Sequence, residues 1–334
     1  MILVTGGTGL VGSYLVLKLA KKAKHVKVLY RNNATRQEVY NLFKIHEPER
    51  YKVLYDSLQW IEGDILDITS LQNAFEGVTE VYHAAGKVSF NEKEKKLLNK
   101  INIEGTQNMI NLSITNKIDK FCFFSSIATL DPNFDVSIIN ENAEWNFKRN
   151  HSSYACSKYG AEMEVWRGSQ EGLKVLVVYP GIVIGSGNWE RANKLLYEMT
   201  YADRAFYTSG STAFIDASDL AEVCIRLMDD LINNDKYIVT ARNVTYKEII
   251  CQLRSAFEMK SPIEITNSQL KKIAFWSQFL SSKKRISKSA YFALISQNKY
   301  SNDKLEQHLS YSFLSLEDSL NIHAKNYLQY KNNK

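Results

Sequence analysis

The chain has 334 residues, 45% of them hydrophobic and 23% charged. That composition excludes a disordered chain or a disulfide-stapled miniprotein and predicts one large domain or two coupled ones. The formal net charge of +6 admits nucleic acid, an acidic membrane surface or a phosphorylated ligand as partner without choosing among them.

Short β-branched or aromatic runs alternate with helical patterns along most of the chain, which predicts βαβ units, a parallel sheet and an α/β fold. The first strand, Ile2 to Thr5, leads through Thr5-Gly6-Gly7-Thr8-Gly9-Leu10-Val11-Gly12 into a helix from Leu10 to Ala20. Glycine in such a turn lets the backbone approach a pyrophosphate, and the free N–H groups at the helix start bind the anion. The second strand, Val26 to Tyr30, runs into Arg31-Asn32-Asn33, where a chain that binds NAD carries an acid for the adenosine ribose. Arg31, with Arg36 as helper, therefore predicts NADP(H) as the preferred cofactor, with NAD(H) as the other possibility. Residues 36–55 have their own helical spacing and make the second crossover longer than minimal. Further strands are expected at Gln59 to Glu62, Glu80 to His83, Phe121 to Phe124, Lys174 to Tyr179 and Tyr237 to Thr240. Helices are expected at Leu97 to Ile114 and Tyr154 to Trp166, and Thr245 to Glu248 reads as a capping box.

The second chemical signal is Tyr154-Ala155-Cys156-Ser157-Lys158. Residues four apart share a helix face, so phenol and ammonium point the same way. A nearby cation favours the phenolate, so Lys158 is expected to lower the pKa of Tyr154 toward the range of proton transfer. The four cysteines, Cys122, Cys156, Cys224 and Cys251, form no C-x-x-C pair and are expected to be reduced. No apolar run approaches the roughly 18 residues of a membrane helix. The chain also opens directly on a strand pattern, so a cytoplasmic protein is expected.

Together the glycine turn and the Tyr-x-x-x-Lys helix resemble the extended short-chain dehydrogenase/reductases, in particular the branch of dihydroflavonol reductase and 3β-hydroxysteroid dehydrogenase. The resemblance implies a Rossmann-type doubly wound parallel sheet over residues 1–185, with 214–245 returning to it. A smaller substrate-binding region would then comprise 186–213 and 246–334. It implies that Gly6, Gly7, Thr8, Gly9, Leu10, Val11 and Gly12 hold the cofactor's pyrophosphate. Asp64 and Ile65 would lie at the adenine, Ala84, Ala85 and Gly86 beside the cofactor, and Pro180 near the nicotinamide. It also implies that Asn102 supports the proton path, that Ser125 or Ser126, with Ser126 preferred, supplies the catalytic hydroxyl, and that Lys158 holds the nicotinamide ribose beside the proton donor Tyr154. Asp219 is expected to be a helix N-cap. A homodimer formed by the helices bearing Asn102 and Tyr154 is implied as well.

The leading expectation is an NADP(H)-dependent reductase of a carbonyl, or dehydrogenase of a secondary alcohol. Trp189, Tyr197, Tyr201, Phe206 and Tyr207 suggest an apolar or ring-shaped small-molecule substrate, but equally suit a core. A nucleotide-sugar epimerase or dehydratase with tightly held NAD is the alternative, kept open by Arg191, Lys194, Arg204 and Arg242 as clamps for a diphosphate. A cofactor-sensing scaffold without turnover is a third reading, opposed by the intact Ser, Tyr and Lys. Charge is unevenly placed. Residues 1–37 hold seven Lys or Arg and no acid, while residues 260–334 hold twelve against five. The first block fits a phosphorylated cofactor, and nucleic acid is not expected. The second, with Lys283-Lys284-Arg285 and Lys288 near Phe275, Trp276 and Phe279, reads either as a solvated helix face or as a contact for a membrane surface.

Overall fold

The computed structural model describes residues 1–89, 91–132, 138–191, 194–231, 233–277 and 286–332. The first half alternates β1 (Ile2–Thr5), α1 (Leu10–Lys21), β2 (Val26–Tyr30), α2 (Asn33–His46), α3 (Tyr51–Asp56), β3 (Gln59–Glu62), α4 (Ile68–Phe75), β4 (Glu80–His83), α5 (Lys95–Asn99), α6 (Gly105–Thr115), β5 (Lys120–Phe124), α7 (Ser153–Gln170) and β6 (Lys174–Pro180). The second half contains β7 (Ile182–Ile184), α8 (Lys194–Tyr201), β8 (Phe206–Tyr207), β9 (Ser211–Asp216), α9 (Ala217–Asp229), β10 (Asp235–Val239), β11 (Arg242–Thr245) and α10 (Tyr246–Ala256). It closes with β12 (Ile263–Glu264), α11 (Asn267–Ser277), α12 (Lys288–Ile295), α13 (Asp303–His308) and α14 (Leu316–Asn332).

Seven strands form one parallel sheet in the order β3-β2-β1-β4-β5-β6-β10. The strand order reverses between β1 and β4, which opens a crevice at their carboxyl ends. All seven strands lie where the apolar runs predict them. The expected helix from Leu97 to Ile114 is instead split, because a π turn at Lys100–Glu104 separates α5 from α6. Such bulges commonly re-aim a side chain, and this one carries the buried Asn102. One sheet face is covered by α1 and α9 through residues such as Leu15, Val16, Leu220 and Ile225. The opposite face is covered by α6 and α7 through Met109, Ile110, Ala161 and Val165.

A third apolar cluster lies beside the short sheet β11-β9-β7 and includes Trp189, Tyr197, Phe214, Leu253 and Tyr327. Trp189 and Tyr197, two aromatics the sequence offered for a substrate pocket, thus belong to a core, and Tyr201 packs against it half-buried. Thr245 caps α10 with the full capping box, Glu248 returning a bond to the Thr245 backbone. Among the described residues no helix is long and apolar enough to cross a membrane.

Buried polar groups bind the second half to the first. Asp216 caps α9 through Ser218 N at 2.7 Å and accepts from Ser319 Oγ at 2.7 Å and His323 Nε2 at 2.8 Å. His323 Nδ1 meets Ser186 Oγ at 2.7 Å, and Ser186 N donates to Tyr14 Oη at 2.7 Å. Tyr14 in turn meets His46 Nε2 at 3.0 Å. The Ser186–His323–Asp216 sequence of contacts has the connectivity of a hydrolase triad, but all three residues are 2% exposed or less, so it can only clamp. Burial alone would raise the Asp216 carboxyl, but bonds from His323, Ser319 and Ser218 hold it below its usual range. Burial pushes His46 down to about 4, so it stays neutral near pH 7.

Asp219 is not the N-cap expected of it. The strand register carries β9 through Asp216, so the cap falls three residues earlier. Asp219 is instead buried and accepts from Tyr311 Oη at 2.8 Å and Leu314 N at 2.7 Å, anchoring the chain that enters α14. His323→Leu should strip Asp216 and Ser186 of a shared partner and lower stability by about 1–3 kcal/mol. Thermal or urea unfolding at pH 7 measures it, and an unchanged midpoint would remove the clamp.

Candidate active site

At the strand-order reversal the first turn fits tightly. Gly6 adopts φ +70°, and a Cβ there would lie 2.5 Å from the Ala84 carbonyl carbon and the Ala85 nitrogen. A Cβ on Gly12 would lie 2.1 Å from the Gly6 oxygen. These approaches bring the start of α1 directly onto the ends of β1 and β4. Gly9 precedes α1 with no side-chain cap, and the first turn has no acid, so its N–H groups remain suited to an anion. Gly9 N donates to Gly6 O at 2.8 Å, Gly7 packs against Val28, and Leu10 is buried in the core beneath the turn with Val11 packed against it.

The β4 end is fixed by the same turn. Ala84 N donates to Thr5 O at 3.1 Å and Ala85 N to Thr5 Oγ1 at 3.4 Å. Buried His83 bridges Thr5 Oγ1 at 2.7 Å and Thr106 Oγ1 at 3.0 Å. The Thr106 hydroxyl donates to Asn102 O at 2.6 Å. Its oxygen therefore accepts from His83 Nε2–H, and Nδ1 accepts from Thr5. Burial, with Lys158 next, pushes His83 down to about 3 and keeps it neutral. Gly86 is exposed and Pro180 is buried at the end of β6.

Beside the turn lies a cleft of about 440 Å³ lined by Thr8, Arg31, Asn32, Thr35, Asp64 and Arg191. Arg31 reaches Asp64 Oδ2 at 3.6 Å, and Asp64 Oδ1 accepts from Leu66 N at 3.0 Å. Ile65 is in the core, with its carbonyl taken by Asn108 Nδ2 at 2.9 Å. Arg36, expected beside Arg31, is not among the residues lining the cleft. Its guanidinium lies 4.9 Å over both the Tyr30 and Trp60 rings and bonds Asn33. The helical turn carries it back over the sheet's aromatic edge rather than outward. Arg191 arrives in its place, donating to Thr8 O at 2.6 Å and Glu38 Oε2 at 2.8 Å. The sequence had offered Arg191 to a substrate diphosphate.

At the other end of the crevice, α7 begins with Ser152 capping Ala155 N at 3.0 Å, which sets Tyr154 in the first turn. Ser126 lies beside the Tyr154 phenol, and its influence opposes the rise that burial imposes there. The net direction is upward, which corrects the expectation that Lys158 depresses it. Lys158 is itself 6% exposed, with Nζ 4.1 Å over the Phe123 ring. Burial lowers its pKa to about 7, while Glu162 pulls the other way.

Two neighbouring serines are separated by geometry. Ser126 faces Tyr154, whereas Ser125 Oγ donates to Glu162 Oε2 at 2.7 Å. Glu162, unnoticed in the sequence, is 5% exposed and also accepts from Tyr179 Oη at 2.5 Å and Trp166 Nε1 at 3.1 Å. It continues the four-residue rhythm of Tyr154 and Lys158, which is the signal that points to it. Asn102 ties the β4 loop to α7. Its amide accepts from Lys87 N at 2.7 Å and donates to Lys87 O at 3.0 Å and Ser157 Oγ at 2.8 Å. Asp131 receives His151 Nε2 at 2.8 Å and Asn146 N at 2.7 Å. It thereby holds the loop before Tyr154, in which Trp145 stacks between His151 and Tyr159.

A model of the NAD dependent epimerase/dehydratase family matches residues 2–240. The chain belongs to that family. It is an NAD(P)-dependent oxidoreductase of the extended short-chain dehydrogenase/reductase type. The chain is similar to cinnamoyl-CoA reductase 1 of Oryza sativa subsp. japonica, 25% identical over 297 residues covering 81% of this chain and 84% of that protein. It is also similar to tetraketide alpha-pyrone reductase 2 of Arabidopsis thaliana, 26% identical over 272 residues covering 76% and 82%. The crystal structure of gox2253 has the same fold, with a TM-score of 0.82 at 21% identity over 99% of this chain and 98% of that one.

Glu162→Gln replaces one acceptor oxygen with a donor in front of hydroxyl and indole donors. The oxidoreductase variant should lose about 1–3 kcal/mol of stability. Without the carboxylate Lys158 loses the group that raises its pKa, so the pH at which reduction declines should move to lower values. Unfolding curves and pH–rate profiles of the two proteins check both effects.

Proposed function

We propose that the protein is an NADP(H)-dependent reductase of carbonyl groups on small, apolar or ring-shaped molecules, with Ser126, Tyr154 and Lys158 as catalytic residues. The observation that carries the reading is Ser126 set beside the Tyr154 phenol, with Lys158, a buried lysine whose pKa burial lowers to about 7, one turn further along α7 at the end of the crevice. When bound, the nicotinamide supplies hydride to the carbonyl carbon. Ser126 orients the carbonyl oxygen by donating a hydrogen bond, and Tyr154 Oη delivers the proton that the oxygen needs. A Tyr154 phenol with a raised pKa stays protonated at neutral pH, which suits it to the role of proton donor in reduction. Lys158, charged below about 7, favours negative charge developing on the phenol oxygen as its proton leaves.

The residues fit a dinucleotide. The glycines let α1 start directly against the ends of β1 and β4, and its uncapped start suits a pyrophosphate. NADP(H) is favoured because Arg31 and Arg191 both line the cleft at that end. The relatives' names describe reductases of aromatic or pyrone-bearing molecules. Exposed Phe147, in the loop leading to α7 and edge-on to Tyr159, suits an apolar wall. The nucleotide-sugar reading loses support, since Lys194 pairs with Glu190 and Arg242 with Glu248, while Arg191 turns to Thr8.

Purified protein should oxidise NADPH in preference to NADH with aromatic or alicyclic aldehydes and ketones. Tyr154→Phe should lower kcat about 100-fold or more while cofactor binding is retained, and Ser126→Ala should lower it more than Ser125→Ala. Arg31→Ala should weaken NADPH about tenfold with little effect on NADH. Equal use of both cofactors by the parent protein would overturn the NADP(H) assignment.

The reduction rate should fall as pH rises through about 7, following the discharge of Lys158. A rate that is flat from pH 6 to 9 in the steady state would remove Lys158 from the mechanism.

A further inference from the structure

Between Glu264 and Asp303 the described residues include Lys271, Lys272, Lys288 and Lys299 and no Asp or Glu. Within that acid-free stretch α11 buries Leu270 and Ser277 against the protein. Its outer face is built from two pairs four residues apart, Lys271 with Phe275 and Lys272 with Trp276, so a cationic turn is followed by an aromatic one on the same side. Phe275 is 60% exposed and Trp276 66%, among the most exposed aromatic residues of the described chain. The neighbouring α12 packs against α11 and adds Phe292, 49% exposed, and the exposed Lys288. Lys283, Lys284, Arg285 and Phe279, which the sequence also placed in this stretch, lie outside the described residues.

We propose that α11 and α12 form a docking surface for an anionic lipid bilayer, with Phe275, Trp276 and Phe292 entering the headgroup boundary and the lysines facing anionic lipid. The occupant follows from the chemistry of the patch. Aromatic rings with polar or cationic neighbours favour the membrane interface, where an apolar body and a wet edge are both satisfied. A protein interface is typically depleted of lysine around its aromatic anchors, and the lysines flanking these rings favour a polyanionic plane instead. Nucleic acid shares the charge requirement. However, it is read by rings that stack on bases within a groove, whereas these rings lie on a convex helix face.

The test is sedimentation of the full-length protein with vesicles. Binding is expected to vesicles of phosphatidylcholine with phosphatidylserine at low salt, weakened at physiological salt, and absent with phosphatidylcholine alone. Phe275→Ala/Trp276→Ala and Lys271→Glu/Lys272→Glu should each weaken binding about tenfold or more. Thermal unfolding and NADPH binding, unchanged from the parent, would show that both variants fold. Quenching of tryptophan fluorescence by brominated lipid should appear in the parent and fall sharply in Trp276→Phe. Failure to sediment with anionic vesicles at low salt would overturn the proposal. So would undiminished binding by either double variant, or tighter binding to a single-stranded oligonucleotide than to vesicles. The result is independent of the reductase reading, which is tested by turnover.

Discussion

Everything at the active end of this molecule depends on how closely the first turn approaches the end of β4. Any side chain at Gly6 would strike the Ala84–Ala85 peptide, and any side chain at Gly12 would strike the Gly6 carbonyl. Removing those two Cβ atoms lets α1 start on top of the strand-order reversal with its N–H groups uncovered. The same approach brings Thr5 within reach of Ala84, Ala85 and His83. The glycine turn and the floor of the crevice at the strand-order reversal are therefore one packing arrangement.

From that floor, buried polar chains extend in two directions. Towards α7, His83, Thr106, Asn102 and Ser157 link the β4 end to the helix bearing Tyr154 and Lys158. Towards the C-terminal half, Tyr14 on α1 joins Ser186, His323 and Asp216. Each group has a partner, which is what makes its burial tolerable. Glu162 follows the same logic. It is a carboxylate surrounded by donors, holding Ser125 back from the crevice while its charge opposes the discharge of Lys158. The pair leaves the lysine titrating near neutrality, where a small change in surroundings alters its charge.

Legibility differed by kind of residue. The glycine turn and Tyr154–Lys158 were visible because their chemistry rests on local spacing, and the strands of the main sheet were visible because most are short β-branched or aromatic runs between helical patterns, even the half-exposed edge strand β3. Glu162 and Asp131 escaped the sequence because an acid on a helix or in a loop looks solvated until burial and donors brought from elsewhere in the chain surround it. Arg191 was misplaced for a related reason: it lies about 160 residues from Arg31, and only the folded chain brings both to one cleft. Asp219 was misread because two aspartates three residues apart offer the same cap, and strand register decided for Asp216.

By itself, then, the sequence determined the doubly wound sheet, the dinucleotide turn and the residue types of the catalytic helix, since all three depend on short-range periodicity and on the stereochemistry of glycine. Tertiary structure alone decided which serine lies beside Tyr154, which arginines line the cleft beside the first turn, and the direction in which burial shifts Tyr154 and Lys158. Those outcomes depend on distances between segments far apart in the chain and on the local dielectric they create, and no spacing along the sequence encodes either.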